Sequence, residues 1–320
     1  NGALSIRHTT RNFPSREGSK PGNGQLSGVA LMDARSIAAT TANGGILTPA
    51  TEVDYDPTVP EYHYDPSSYE ARVYQGFGHG DYDALLKLGP NIKDWPEIAP
   101  LGDNLLLKVA SYITDPVTTT DELIPSGETS SYRSNPERLS EFALSRRDPQ
   151  YVGRSKVMRQ IERDREAGKA LPEEVMKVYE ALTKAGIAND PANTDIGSTI
   201  FANMPGDGSA REQAASCQRV MGASASFAKQ YATKRYRSNC INWGMTPFLV
   251  ENPEVFELGD YIFVPGLRTH VLANDATFSA YAVKPDGTVT EFPVSTGALT
   301  EAERQIIADG CLINYYRNNQ

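Results

Sequence analysis

The sequence lacks the cysteine and histidine patterns of a disulfide framework or a metal site. Its three cysteines, Cys217, Cys240 and Cys311, are odd in number and widely separated, and no C-x-x-C pair occurs. The four histidines, His8, His63, His79 and His270, also lack the spacing of metal ligands. We therefore predict no metal ligand in this chain, and a reducing compartment such as the cytoplasm or the mitochondrial matrix.

Long apolar runs and an excess of positive charge are also absent. No apolar run approaches the roughly 20 residues that a membrane-spanning helix requires. The formal net charge of −9 gives no support to a nucleic-acid partner, because phosphate-binding surfaces are usually rich in lysine and arginine. We expect neither membrane nor nucleic acid as a partner. An anionic ligand would have to be bound by a few arginines gathered in one cleft.

The chain has the size and composition of a globular protein with two folded units. It contains 320 residues, of which 39% are hydrophobic and 22% are charged. Its first residues lack the basic segment and apolar core of a signal peptide. Because the numbering starts at Asn1 without an initiator methionine, we expect the natural protein to begin earlier.

The first hundred residues predict a small set of elements followed by a linker. Residues 3–7 and 25–31 suit short strands, and Asp33 can cap a helix that ends near Asn43, before two glycines. These elements are too few to close a core of their own. Residues 51–103 are rich in Pro, Tyr, Asp and Gly, which favours an extended linker with a short helix near residues 83–88.

Residues 104–320 predict a compact α/β domain with an antiparallel portion. Residues 104–113 have the apolar density of a buried strand, and further strands are predicted at 197–202, 224–229, 261–264, 278–283 and 288–292. Helices are predicted from Pro172 to Lys184, from Gln213 to about Gly222, over 232–243, and after a capping box at Thr300 and Glu303. The core face of the first of these helices should contain Val175, Val178, Tyr179 and Leu182.

A glycine-rich turn, Gly206-Asp207-Gly208-Ser209-Ala210-Arg211, runs directly into a helical pattern. Backbone N–H groups converge at a helix start, so the turn indicates an anion site that carries a serine and an arginine. Taken alone, the turn also fits ordinary helix capping. Three further polar motifs accompany it: Thr10-Arg11-Asn12-Phe13-Pro14-Ser15-Arg16, a loop from Thr119 to Gly127, and Arg133-Ser134-Asn135.

These four motifs resemble those of the aconitase superfamily, and most of all its aconitase-like hydratases. Residues 10–16 resemble the N-R-N-F-x-G-R loop, residues 119–127 the T-T-D-H-I-x-P-A-G loop, and residues 206–214 the G-x-G-S-S-R-E-H-A turn. Arg133 matches the arginine that follows the second loop, and the order and spacing agree. The resemblance implies that residues 1–50 end an α/β/α third domain, that 51–103 are a linker, and that 104–320 form a β/β/α swivel domain.

The resemblance also implies an activity, the dehydration and rehydration of a hydroxy-di- or tricarboxylic acid. The 4Fe–4S cluster of such a hydro-lyase would be held by an upstream segment or subunit, since its ligands are not in this chain. Ser209 would remove a carbon-bound proton, with Asp121 as a second catalytic residue. The substrate would be bound by Arg11, Arg16, Thr120, Arg133, Ala210 and Arg211. Arginine suits this task because it binds a carboxylate through two parallel hydrogen bonds.

The sequence departs from the family motifs at several polar positions. Ala210 and Ile124 stand where serines occur, Glu122 and Gln213 replace histidines, and Thr10 replaces an asparagine. We therefore predict a hydroxy acid with a more apolar arm than citrate. A non-catalytic small-anion-binding or regulatory module that retains the swivel fold is the alternative. A free-standing small subunit, as in isopropylmalate isomerases, is a third possibility, against which residues 1–50 argue.

Overall fold

The computed structural model describes residues 4–6, 26–29, 31–54, 56, 58–72, 78–85 and 87–319, with backbone only at 4–6. The described residues divide after Gly89 into two compact units, which are treated separately. Arg11 and Arg16, two of the predicted substrate-binding residues, lie outside the described ranges. No helix in those ranges combines the length and the apolar character needed to cross a membrane.

The first unit contains the strand, strand and helix predicted for it. Strands β1 (Leu4–Ile6) and β2 (Leu26–Gly28) pair in parallel, and helix α1 (Ala34–Ala42) follows. Asp33 caps α1, because its Oδ1 accepts hydrogen bonds of 2.9 Å from the N–H groups of Arg35 and Ser36. The prediction of a short helix near residues 83–88 is wrong for the described residues of that range, which form a turn and irregular structure. Helix α2 lies earlier, at Ser67–Arg72.

The second unit is built on a seven-stranded mixed sheet, which confirms the predicted α/β fold class. Its strands are β3 (Asn104–Ile113), β5 (Thr194–Ala202), β7 (Ala223–Ala228), β8 (Thr246–Leu249), β9 (Tyr261–Val264), β10 (Phe278–Val283) and β11 (Val289–Val294). The order across the sheet is β11-β10-β9-β3-β5-β7-β8. Strands β3, β5, β7 and β8 are mutually parallel, whereas β9, β10 and β11 add to β3 as an antiparallel half. A separate parallel pair joins β4 (Thr118–Thr119) to β6 (Pro205–Asp207).

The helices of this unit are α3 (Thr120–Leu123), α4 (Pro136–Ser140), α5 (Tyr151–Glu166), α6 (Glu173–Lys184), α7 (Arg211–Val220), α8 (Lys234–Asn242), α9 (Leu267–Ala273), α10 (Glu301–Ala308) and α11 (Leu312–Asn318). The predicted core face of α6 is buried, and Pro172 is its N-cap. The capping box of Thr300 and Glu303 starts α10 as predicted. The last helix was predicted to continue through Leu312, but α10 ends at Ala308, two residues before Gly310, whose φ of +89° is not helical, and α11 starts at Leu312.

Residues 90–103 pack within the second unit, although the sequence predicted them as the end of a linker. Trp95 contacts Trp243 with ring centroids 4.3 Å apart. Leu101 is buried, and its N–H donates to the Ala308 carbonyl over 3.1 Å. The N–H of Gly102 donates to Asp195 Oδ2 over 2.6 Å. These contacts attach the segment to both the sheet and the last helices.

Candidate functional site

Two of the predicted motifs meet at the carboxyl ends of neighbouring parallel strands. The chain leaves β3 into β4 and α3, and it leaves β5 into β6, the glycine-rich turn and α7. Because β4 pairs with β6, Thr118 lies opposite Pro205 and Thr119 lies opposite Asp207. Crevices at the carboxyl ends of parallel strands are the usual ligand sites of open α/β sheets.

The glycines of the turn allow it to lie directly against α3 and α8. Gly206 and Gly208 have φ values of +100° and +132°, which side chains disfavour. A Cβ on Gly208 would lie 2.1 Å from Thr120 Oγ1, and one on Gly206 would lie 2.4 Å from the Tyr236 ring. Thr120, predicted to bind substrate, is only 2% exposed and packs against this turn.

Helix α7 presents an uncapped N-terminus at the end of the turn. Its N-cap is Ala210, which has no side-chain acceptor, and its first intrahelical bond runs from the Ala214 N–H to the Ala210 carbonyl. The N–H groups of the first turn therefore point beyond the helix end, where an anion is favoured. Ser209 precedes the cap and is exposed, and no described residue hydrogen-bonds to its hydroxyl. Arg211 occupies the first helical position and is half-buried.

Arg133 shares a surface hollow with the glycine-rich turn. The hollow, which we term the Arg133 hollow, has a volume of about 300 Å³ and is lined by Ser126, Arg133, Ser209, Ala210, Glu212 and Gln213. The Arg133 side chain is exposed, and its one hydrogen bond, to the Ser126 carbonyl, is long at 3.5 Å. The structure thus brings three of the predicted site residues, Arg133, Ser209 and Ala210, to one hollow.

A second hollow, which Ser209 also lines, contains two cations that the sequence motifs did not indicate. This basic hollow measures about 360 Å³ and is lined by Ser209, Arg211, Glu212, Lys234, Arg235, Ser238 and Asn239. Lys234 and Arg235 begin α8, whose N-cap Thr233 donates from Oγ1 to the Gly206 carbonyl over 3.2 Å. A Lys-Arg pair directly after a capping threonine was the available signal. Its proximity to Ser209 depends on β7 lying beside β5 in the sheet.

The loop that contains Asp121 is held by ion pairs and a capping box. Asp121 pairs with Arg146, which also pairs with Glu128. The hydrogen bond to Glu128, followed by the charge of Asp121, raises the pKa of the Arg146 guanidinium. The next residue, Glu122, caps α3 by accepting the Thr119 N–H over 2.7 Å.

Ile124 does not contribute to either hollow. Its side chain is fully buried in a core cluster with Leu123, Leu139 and Ile200. Ile124, which stands where the family motif has a serine, is therefore not placed to contact a ligand in either hollow. Of the two positions at which the family motifs have a serine, only Ala210 lines a hollow where the apolar arm of a ligand could contact it.

The described residues do not fit an iron–sulfur cluster. Cys217, Cys240 and Cys311 are all buried free thiols, and burial raises the pKa of Cys217 and of Cys240 to about 12. Such thiols stay protonated at neutral pH, whereas cluster ligands are thiolates. Within the described ranges, no group of three or more His, Cys, Asp or Glu residues is placed to hold a metal ion.

Comparison with known proteins gives a weak structural likeness. No family model matches the sequence, and no curated protein matches it. Among solved structures, the chain is similar to a crystal structure of 3-isopropylmalate dehydratase (LeuD) from Methanocaldococcus jannaschii, with 20% sequence identity. The match covers 68% of this chain and 95% of that chain, at a TM-score of 0.42. A likeness at this level establishes neither a shared family nor a shared activity.

Proposed function

We propose that this chain supplies part of the active site of a hydro-lyase that acts on a hydroxy-di- or tricarboxylic acid. One observation carries the proposal: the exposed Ser209 stands at the uncapped start of α7 between two hollows that contain arginines. Arg133 and Arg211 would bind carboxylates, and Ser209 would remove the proton from the carbon beside one of them. Arg11 and Arg16 would add further carboxylate contacts.

The proton transfer needs a way to stabilise a serine alkoxide and the charge that develops on the substrate. N–H groups at the start of α7 and the Arg211 guanidinium supply positive potential beside Ser209. When the C–H bond breaks, its electron pair spreads into the adjacent carboxylate, where an arginine compensates the added charge. The electron pair then forms the carbon–carbon double bond while the C–O bond on the neighbouring carbon breaks, and the hydroxyl leaves as water after taking a proton from solvent or from an acid outside these residues.

The other parts of such an enzyme would come from outside these residues. The cluster that the sequence resemblance implies would be held by an upstream segment or a partner subunit, and no step above is routed through it. In this proposal residues 1–50 end a third domain and residues 104–320 form the swivel domain, with residues 90–103 packed within the same unit. Asp121 would act on the site through the loop that Arg146 holds.

A non-catalytic anion-binding module is the second candidate function. It is favoured by the Ser209 hydroxyl, which hydrogen-bonds to no base among the described residues, and by Ala210, which offers no hydroxyl of its own. Such a module would bind carboxylates at the same place without turning them over. The hydro-lyase hypothesis explains why a serine lies beside Arg211, whereas a non-catalytic binding module would not need one.

Activity measured with Ser209→Ala separates the two candidates. The protein would be purified anaerobically with any associated cluster-bearing subunit and assayed for dehydration of malate, citrate, isocitrate and isopropylmalate. We expect Ser209→Ala to lower kcat about a hundredfold or more with little change in KM, because the serine acts in the transition state. Ser68→Ala, an exposed serine of α2 that lines neither hollow, is the matched control for loss of a hydroxyl.

Three outcomes would count against the catalytic proposal. If Ser209→Ala keeps the parental rate, Ser209 is not the base. If the iron-loaded assembly binds these acids but turns none of them over, the anion-binding module is the correct reading. Turnover of isocitrate far above that of the more apolar acids would contradict the preference inferred from Ala210.

A further inference from the structure

The basic hollow lies at the start of two helices and next to Ser209. We propose that Lys234 and Arg235 form a second anion subsite, which holds a distal carboxylate of a hydroxy acid whose reacting carbon lies at Ser209. This inference rests on the proposed function and adds the residues that would hold the second carboxylate of the hydroxy acid. Lys234 and Arg235 would then decide specificity without taking part in the chemistry.

The two helix starts are held together by a direct contact with the glycine-rich turn. Thr233 caps α8 by accepting the Tyr236 N–H, and it also donates to the Gly206 carbonyl. The same turn leads into α7, whose first residue is Arg211. Lys234, Arg235 and Arg211 therefore face one hollow from two helices that the sheet fixes in place.

The basic hollow is lined by more positive than negative side chains, although the start of a helix favours negative charge. Cations in the first turn of a helix oppose the macrodipole, and α8 has two of them and no acidic residue there. Neither Lys234 nor Arg235 forms an ion pair with another described residue. Glu212 is the one carboxylate that lines the hollow, and it accepts a hydrogen bond from Trp243 Nε1. A bound anion would offset the surplus positive charge.

The remaining lining groups suit a carboxylate. Ser238 and Asn239 follow one turn after Lys234 and Arg235, so their hydroxyl and amide groups lie on the same side of α8. Arginine can bind a carboxylate through two parallel hydrogen bonds, and lysine adds a compact charge. Since Ser209 and Glu212 line both hollows, the two hollows adjoin, and a ligand with two carboxylates can place one in each hollow.

Calorimetric titration of the full chain tests the subsite with three probes. Lactate has no distal anion, malate has a distal carboxylate, and 3-phosphoglycerate has a distal phosphate. We expect malate to bind at least about tenfold more tightly than lactate, and Lys234→Gln/Arg235→Gln to remove that advantage while lactate affinity stays within about twofold. The control Lys184→Gln/Arg317→Gln removes the same two charges from α6 and α11 and should leave all three affinities unchanged.

The outcomes separate this inference from the proposed function. If Lys234→Gln/Arg235→Gln leaves malate affinity unchanged, or weakens lactate equally, the distal subsite is overturned while hydroxy-acid binding at Ser209 stands. If the variant abolishes malate binding but Arg133→Gln and Arg211→Gln do not affect it, the subsite stands and the proposed function fails. Preference for 3-phosphoglycerate over malate would overturn the assignment to a carboxylate. Absence of binding for all three probes would overturn both ideas.

Discussion

Gly208 is the residue at which the turn, α3 and the site depend most directly on one another. Its φ of +132° lies in a region that side chains rarely adopt, and its missing side chain leaves room for Thr120 Oγ1. Thr120 in turn is the first residue of α3, which lies within the loop of residues 119–127. The contact therefore fixes the distance between the loop of Asp121 and the turn of Ser209.

We predict that Gly208→Ala destabilises the protein by about 2–5 kcal/mol, because backbone strain adds to the clash with Thr120. The free energy of unfolding in urea measures the effect. Gly287→Ala is the matched control, since Gly287 has a φ of +87° but nothing within 4 Å of an added Cβ. It should cost only about 1–2 kcal/mol. Adding Thr120→Ala to Gly208→Ala should recover the steric part; equal costs at both glycines would contradict the contact.

The helices differ in how well the charges at their ends suit the macrodipole. Helix α6 begins with Glu173 and Glu174 and ends with Lys184, so both of its ends are favourable. Helix α8 begins with Lys234 and Arg235. A helix that breaks this rule at the proposed anion subsite is consistent with a binding role that costs stability.

We predict that Lys234→Glu raises the free energy of unfolding of the ligand-free protein by about 0.3–1 kcal/mol, because it places a negative charge at the positive end of α8. Lys184→Glu should lower it by a similar amount, since that residue lies at the opposite end of α6. Urea unfolding at low and high salt measures both, and salt should reduce both effects. If Lys234→Glu is destabilising, the helix start is not electrostatically unfavourable.

The sequence predicted those elements whose apolar pattern matches their burial. Strand β3 has the predicted bounds because seven of its ten residues are buried, and all of these but Ser111 are apolar. Helix α5 was missed, since its buried face consists of Tyr151, Ser155, Met158 and Ile161 and has no continuous apolar stripe. Strand β8 was missed because it has only four residues and includes Pro247.

The candidate site was only partly predictable for a topological reason. Ser209, Ala210 and Arg211 are contiguous, and their turn is visible as a motif. Lys234 and Arg235 join it because β7 is the neighbour of β5, and the strand order cannot be read from local pattern. The same limit applies to Ile124, whose burial depends on the packing of several helices.

At the scale of the whole molecule, buried thiol and phenol groups make the free energy of unfolding depend on pH in the alkaline range. Burial raises the pKa of Cys217 and Cys240 from about 9 to about 12, and that of Tyr179 from 10.0 to about 12. The folded state therefore holds protons that the unfolded state releases at lower pH. Stability from these groups is complete below pH 9 and is lost as the pH rises from 9 toward 12.

We predict that the free energy of unfolding falls by about 1.4 kcal/mol for each of the two thiols as the pH rises from 8 to 10. Urea unfolding under reducing conditions at the two pH values measures the loss. Cys217→Ala/Cys240→Ala should reduce the loss by about 3 kcal/mol, even though the variant is less stable at both values. Val220→Ala, another truncation of a buried side chain, should leave the loss unchanged; the same pH dependence in all three proteins would contradict the assignment.

The boundary of the larger unit can be placed by its contacts. Residues 90–103 contribute the buried Leu101, the contact between Trp95 and Trp243, and a hydrogen bond of 2.9 Å from the Lys93 N–H to the Ser134 carbonyl. Burial of a leucine contributes about 1.5–3 kcal/mol and an aromatic pair about 0.5–1.5 kcal/mol more. Residues 90–103 therefore also contribute to the free energy of unfolding of the larger unit.

We predict that a chain beginning at Pro90 unfolds cooperatively, and that one beginning at Asn104 is less stable by about 3 kcal/mol or more, because it exposes the surfaces that Trp95 and Leu101 cover. For a unit of this size the Tm difference should be on the order of 10 °C, measured by calorimetry. Trp95→Ala in the longer chain should reproduce part of the loss, whereas Asp94→Ala, at an exposed neighbouring position, should not. Equal Tm values for the two chains would place the boundary at Asn104 and make residues 90–103 a linker.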